Sequence, residues 1–194
     1  MKNIGKTLAL MTLAPVVLTM AGCGSDAEPV EKTASGATVS DDSLKAILDG
    51  NDGLSAFKSI TNNSELEAML ESGTPYTIFA PNNAALGKLP GDGLAALGKD
   101  DMKAQATELV RAHMVPGTIL QADIENAVKA GGKAVTMKSF GDTTLTFTRD
   151  GDTIKIAGDN GTSATLVPGG SGGKKGSVLV IDGLLLPVGV APKN

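Results

Sequence analysis

Few residues able to do chemistry occur in this chain of 194 amino acids, which holds one His, one Cys and no Trp. Gly169-Gly170-Ser171-Gly172-Gly173 matches G-x-S-x-G, the string of a nucleophile elbow. That elbow needs a strand before the serine and a helix after it, whereas here Pro168 precedes and a strand-like run comes after. We read residues 168–176 as a mobile surface loop that tolerates deletion. It is not a phosphate loop either, because no Gly lies five residues before a Gly-Lys-Ser/Thr. Asp150, Asp152 and Asp159 are close in sequence but lack the set spacing and bidentate Glu of a calcium loop, so they read as turn aspartates. His113 stands four and three residues after Leu109 and Val110 on one helix face. A half-buried, hydrogen-bonded structural imidazole is the expectation there. Without a second His or a carboxylate cluster at ligand spacing, no zinc or iron site is expected. The expectation is no catalytic residue, no metal, no cofactor and no enzymatic activity.

The lone cysteine is explained by its position. Lys2 and Lys6 precede an apolar run from Thr7 to Met20, and Ala21-Gly22 supplies small residues directly before Cys23. This is the pattern of a secretory leader, and its apolar run falls short of the roughly 20 residues that span a bilayer. Met20-Ala21-Gly22-Cys23 resembles a lipobox, which implies cleavage after residue 22 and a lipid on the Cys23 sulfur; two or more acyl chains anchor stably where one does not. Residues 23–40 then read as the lipidated Cys and a flexible tether rich in Gly, Ser, Thr, Ala and Glu. Gly24 rather than Asp stands after the cysteine, which favours the outer membrane, on its periplasmic or surface face. Removing Lys2 and Lys6 with the leader leaves 15 basic against 21 acidic residues. A mildly acidic chain does not attract a phosphate backbone, so nucleic acid is not an expected partner. The sequons at Asn62 and Asn160 carry little weight in a bacterial lipoprotein.

The elements that must position these residues are set by hydrophobic period. Ser43 or the preceding aspartates cap a short helix with Leu44, Ile47 and Leu48 on one face, ended by Gly50. A second helix puts Leu54, Phe57 and Ile60 together. Ser64 and Glu67 have the spacing of a capping box ahead of Leu66, Met69 and Leu70. Tyr76 to Phe79 is a strand stopped by Pro81, and Asn82 or Asn83 caps the turn after it. The clearest helix starts at Asp100 or Asp101, carries Met102, Ala106, Leu109, Val110 and His113, and runs until Pro116-Gly117. Beyond Gly131-Gly132 the period becomes two. Leu145 and Phe147 alternate with threonines, Asp150-Gly151 suits a type I′ turn, Ile154 and Ile156 come next, and Thr162 to Val167 is another strand. The apolar run Val178 to Leu186 reads as a strand buried on both faces and closed by Pro187. Helices first and strands later describe an α+β chain.

Three strings resemble the signatures of the fasciclin (FAS1) family. Tyr76-Thr77-Ile78-Phe79-Ala80-Pro81-Asn82-Asn83 is similar to the first signature. Leu109 to Gly117, with His113, Pro116 and Gly117, is similar to the family's helix end and the Tyr-His-hydrophobic-hydrophobic-Pro-Gly string after it. Gly176 to Pro187, with Val180, Ile181, Asp182, Leu186 and Pro187, is similar to the closing signature. Ala84, Leu86, Ala112 and Lys175 depart from the pattern, Ala112 standing where a Tyr is usual. The resemblance implies an α+β, fasciclin-like fold, with helices mostly in the N-terminal half packed on a β-sandwich or wedge from the C-terminal half. It spans residues 41–190, with 191–194 as a tail. It further implies structural roles for Thr77, Phe79, Ala80, Pro81, Asn83, His113, Pro116, Gly117, Gly176, Val180, Ile181, Asp182, Leu186 and Pro187, His113 tying its helix end to the first signature. The implied function is a tethered adhesion or interaction module whose partner is an envelope or matrix protein or polysaccharide. The alternative is a small apolar-ligand binder with a crevice between helices and sheets.

Overall fold

A computed structural model describes residues 39–132 and 134–186. The leader, Cys23, Pro187 and the 191–194 tail lie outside the described residues, as does the tether up to residue 38.

The N-terminal half supplies β1 (Val39–Ser40), α1 (Leu44–Asp49), α2 (Ser55–Asn62), α3 (Glu67–Glu71), β2 (Tyr76–Pro81), α4 (Asn83–Leu86), α5 (Gly93–Leu97) and α6 (Lys103–Ala112). Then come β3 (Met114–Pro116), α7 (Gln121–Gly131), β4 (Ala134–Lys138), β5 (Thr144–Asp150), β6 (Thr153–Gly158), β7 (Ser163–Gly173) and β8 (Gly176–Ile181). The chain is α+β, with helices mainly before the sheet-forming strands. The sheet runs β3-β2-β8-β7-β6-β5-β4, and β1 adds to β7. β2 and β8 are parallel neighbours although a hundred residues separate Thr77 from its partner Ser177. Among the described residues, regular structure is already present two residues ahead of Asp41, with Val39–Ser40 paired to Gly172–Gly173.

The central strands are covered on both sides. Ile78, Ala80, Val178 and Val180 face one core with Leu44, Phe57, Ile60 and Val110 from the helices. Phe79, Leu179 and Ile181 face the other, with Phe147, Ile154, Ile156 and, from α7, Ile124 and Val128. A strand buried on both faces reads as a continuous apolar run rather than an alternation, whereas β5 and β6 alternate because one face is wet.

Several local expectations are corrected. The strand expected from Val178 to Leu186 ends at Ile181. Beyond it Asp182 pairs with Thr165, its amide donating to the Thr165 carbonyl at 3.1 Å and its Oδ1 accepting from the Thr165 amide at 2.6 Å. The glycine-rich segment is no free loop: Gly169 to Gly173 belong to β7, in register with β8 at Ser171↔Val178 and Gly172↔Ser177. A register shift between Val167 and Ser171 bends the strand, so its first part pairs with β6 and its last part receives β1. Bulges turn strands in this way. Glycine is required there by close approach; a Cβ on Gly172 would stand 2.5 Å from Leu120 Cδ2 and 2.9 Å from Ser177 Cβ.

The long helix stops at His113 instead of Pro116, because Met114–Pro116 exchange ladder bonds with β2. α5 and α7 add to the helices expected from the hydrophobic period. The Ser64 capping box does not form: Ser64 Oγ donates to the Thr61 carbonyl at 2.6 Å and accepts from Leu66, while Glu67 pairs with Lys45 at 2.9 Å. In the β5–β6 turn only Gly151 has positive φ, at the first loop position, the pattern of a type II′ rather than a type I′ turn. Pro81 ends β2 inside the sheet, paired with Ile181. Ala112 is buried where a Tyr is usual, with Gly141 so close that a Cβ there would lie 2.8 Å from the Ala112 amide nitrogen.

Gly176 is the position where sequence and backbone are most tightly matched. Its φ is +128°, and a Cβ would meet the Tyr76 carbonyl and lie 2.8 Å from Leu44 Cδ2. Gly176→Ala should cost about 2–4 kcal/mol in urea unfolding. Gly91→Ala, at φ +60° with nothing within 4 Å, should cost only the left-handed strain of about 1 kcal/mol. Deleting Gly169 to Gly173 should abolish the cooperative transition, because it removes the seat of β1 and part of the β7–β8 ladder.

Candidate functional site

β2 and β8 lie side by side in register from Tyr76↔Gly176 to Pro81↔Ile181, and the His113 carbonyl accepts the Phe79 amide at 2.8 Å. The three motif segments thus meet at one place in the sheet. The Phe79 ring packs at a 44° tilt against Phe147, centroids 5.3 Å apart, and Ala80, Val180 and Ile181 are buried beside it.

His113 occupies the C-cap of α6 and is 0% exposed, rather than half-buried. Its Nδ1 lies 2.7 Å from the Leu109 carbonyl, and its Nε2 accepts the Leu185 amide at 3.1 Å. An amide donor at Nε2 fixes the neutral tautomer with the proton on Nδ1, which donates to Leu109. Burial pushes the imidazole pKa down to about 4, against the opposing effect of the Leu109 bond. The ring therefore ties the helix end to the segment after β8, and the residue's backbone makes the tie to Phe79. Phe57 packs against the ring at 5.7 Å.

On the other face, Thr77 and Ser177 form a fully buried hydroxyl pair 2.9 Å apart. Thr77 Oγ1 bonds the Gly117 carbonyl at 2.8 Å and accepts the Ile119 amide at 2.8 Å, while Ser177 Oγ donates to the Ile119 carbonyl at 2.7 Å. Gly117, at φ +89°, turns the chain out of β3 after the exposed Pro116, and its amide bonds the Pro75 carbonyl at 3.0 Å. Asn82, not Asn83, caps α4 by accepting the Ala85 amide at 2.8 Å. Asn83 instead accepts the Ala56 amide at 3.0 Å and donates to Asp52 and Ser55, which holds the start of α2. Ser177 and Leu185 stand inside the closing string, but no sequence pattern marks their roles; their partners come from segments far away in the chain.

The other candidates disperse. Ser171 lies within β7, not on a strand-to-helix turn, and both nitrogens of His113 are engaged. Asp150 pairs with Lys155, whose hydrogen bond holds the Asp150 carboxyl below its ordinary pKa. Asp152 pairs with Arg149 at 3.2 Å, and Asp159 accepts the Thr144 amide at 3.1 Å. Among the described residues, no three His, Cys, Asp or Glu side chains could jointly hold a metal ion. Asn160 donates to the Leu186 carbonyl.

The surface carries an apolar groove of about 580 Å³ between α5 and α6, lined by Leu89, Leu97, Met102, Leu109 and Leu186, with Gln105 and Glu108 also lining it. It runs between two helices, not between helices and sheet. Apolar concavities with few polar groups are where small ligands and partner side chains bind.

The Fasciclin domain family model matches residues 52–187 of this chain. Protein sll1483 of Synechocystis sp. is 26% identical over 193 residues, covering 96% of this chain and 99% of that protein. The fold is similar, at a TM-score of 0.62 and 16% identity, to a FAS1 domain pair from the insect cell adhesion molecule Fasciclin I. The match covers 74% of this chain and 50% of that one, so the chain spans about half the length of the pair.

The buried imidazole makes stability depend on pH. Unfolded, His113 titrates near its ordinary value of about 6.5; folded, at about 4. Between these values the unfolded state binds a proton that the folded state refuses, so stability falls as pH drops from about 6.5 to about 4. The full loss is on the order of 3 kcal/mol. His113→Ala should be less stable by roughly 1–4 kcal/mol at pH 7.5. Urea titrations at pH 7.5 and 4.5 should show this gap narrowing in acid; an unchanged gap would mean the imidazole is not held neutral.

Proposed function

Because the chain belongs to the fasciclin family, we propose that it is a membrane-tethered, extracytoplasmic adhesion or protein/matrix-interaction module, anchored through a lipid on Cys23. The observation that carries this reading is the order of parts: a leader ending in Met20-Ala21-Gly22-Cys23, a short polar stretch, and then the fasciclin domain. A solved relative in fold comes from a cell adhesion molecule, which is consistent with a domain that works by contact. The partner we infer is an envelope or matrix protein or polysaccharide, and Gly24 after the cysteine favours the outer membrane.

A second reading, a binder of small apolar ligands, draws on the groove between α5 and α6, whose aliphatic walls suit an uncharged hydrocarbon group. In this reading the tether serves only to keep the domain in the envelope.

Anchoring is tested with Cys23→Ser. The native protein should enter the detergent phase of a membrane extraction, and the variant should remain aqueous with the same melting temperature. Persistent partitioning of the variant would overturn the lipid anchor. The full-length Cys23→Ser chain, immobilised and exposed to envelope extract, matrix polysaccharide and a lipid-soluble metabolite pool, separates the readings: a retained macromolecule supports adhesion, a retained small apolar compound supports the second.

A further inference from the structure

A cleft of about 440 Å³ opens between the turn after α4, strands β6 and β7, and the segment after β8, separate from the aliphatic groove and opposite to it in chemistry. Its lining converges on Asp182 and Thr165. Asp182 Oδ1 accepts the Thr165 amide at 2.6 Å, Lys88 Nζ donates to the Asp182 carbonyl at 3.4 Å, and Lys155 stands directly opposite Thr165 in the β6–β7 register. Ser163, two residues before Thr165, projects from the same face of β7.

The groups left unused here define the ligand. Among the described residues, Lys88 has no carboxylate partner, the Ser163 and Thr165 hydroxyls make no hydrogen bond, and Asp182 Oδ2 accepts none. Lys155 pairs with Asp150 at the β5–β6 turn, but both side chains are more than half exposed, so the pair is weak and exchangeable. The cleft thus presents two ammonium groups, two hydroxyls that donate or accept, and a carboxylate oxygen that only accepts. A densely charged anion satisfies the ammoniums but is repelled by Asp182 and Asp150. A neutral sugar satisfies Asp182 and the hydroxyls but leaves the ammoniums without a counter-charge. A sugar with one carboxylate and several ring hydroxyls satisfies all of them, and the volume lies in the range of small-molecule sites. Lys88, Lys155 and Ser163 are exposed, so the cleft is open to solvent, as capture of an internal unit of a polymer requires. Among the described residues no aromatic ring lines it, so recognition rests on charge and hydrogen bonds rather than on stacking.

We propose that this cleft binds a uronate unit of an acidic polysaccharide, its carboxylate held by Lys88 and Lys155 and its hydroxyls by Asp182, Ser163 and Thr165. The inference deepens the adhesion reading by naming the polymer class, and it rests on that reading for its role but not for the binding itself.

The test uses the full chain carrying Cys23→Ser, titrated calorimetrically at low salt with trigalacturonate and with trimannuronate. At least one should bind, and its fully methyl-esterified counterpart and a tetraglutamate peptide should each bind at least about tenfold more weakly, since each lacks either the charge or the hydroxyls. Lys88→Gln should weaken binding about tenfold and Thr165→Val about threefold. Lys99→Gln, at a lysine outside the cleft, should leave it unchanged. Asp150→Asn removes the anion that competes for Lys155 and should tighten binding about threefold, a gain that loss of structure does not produce. Melting curves confirm that each variant is folded. Absence of binding by both acids, equal binding of acid and ester or of acid and tetraglutamate, or a Lys88→Gln protein with unchanged affinity overturns the proposal. Adhesion is judged separately by what envelope and matrix extracts leave on the immobilised chain: a retained protein without trisaccharide binding overturns the uronate cleft alone, and trisaccharide binding without any retained macromolecule overturns adhesion alone.

Discussion

The parallel pairing of β2 with β8 is the constraint on which the rest of this domain depends. It joins Tyr76–Pro81 to Gly176–Ile181 across a hundred residues of chain, and a contact that long in sequence has a large closure entropy to offset. Two features offset it. Both faces of the pair are buried, so each residue of the ladder adds apolar area to one core or the other. Groups at either end are also joined to segments outside the pair. His113 grips Leu185 just beyond β8, and the Thr77–Ser177 hydroxyl pair grips the turn after β3. Loss of one clamp leaves a buried donor or acceptor unpaired, which costs more than the bond contributes when made.

The hydroxyl pair illustrates how little freedom the centre has. Thr77 and Ser177 bring two protons to three contacts: the Gly117 carbonyl, the Ile119 carbonyl and each other. If both protons go to carbonyls, the two oxygens face each other without one; if either proton bridges them, one carbonyl loses its donor. The Ile119 amide, donating to Thr77 Oγ1, supplies part of the missing charge. Valine at position 77 would match the threonine in volume and strand propensity, yet would leave the Gly117 carbonyl and the Ile119 amide without their side-chain partner, and alanine at position 177 would take the donor from the Ile119 carbonyl.

Much of this is legible in the sequence where a pattern has one physical meaning. Alternation at Leu145, Phe147, Ile154 and Ile156 can only be a strand with one wet face, and the three-residue spacing of Leu54, Phe57 and Ile60 marks a helix face; all seven are buried. Glycine misleads because one letter has two causes. Gly169 to Gly173 read as freedom to turn, whereas Gly170 and Gly172 are there because backbone and side chains of β8 and Leu120 come too close for a Cβ. The Ser64 box fails for a tertiary reason: Lys45, from α1, offers Glu67 an ion pair. α7 carries only Ile124 and Val128 as buried residues, too few to show a helical period before the sheet they pack on is known. The role of Leu185 is invisible for the same cause, since its partner lies 72 residues away.

This distribution of contacts separates what holds the domain from what it can offer to a partner. The clamps, the paired central strands and the two cores occupy the middle of the molecule, where any movement would break several bonds together. α5 is different. It has five residues, no side-chain cap at its start and a single buried residue, Leu97. A short helix whose ties, through Leu97, Leu94 and the bond from Asn63 Nδ2 to the Leu97 carbonyl at 2.8 Å, run only to the helical side can shift without disturbing the β2–β8 ladder, and segments of low local stability are where binding surfaces are commonly placed. The wall opposite it, α6, is fixed by His113 at its end, and Leu186 is fixed through Asn160. The groove thus has two rigid sides and one compliant side, a geometry that can adjust its width to an apolar occupant while the core that defines the fold stays unchanged.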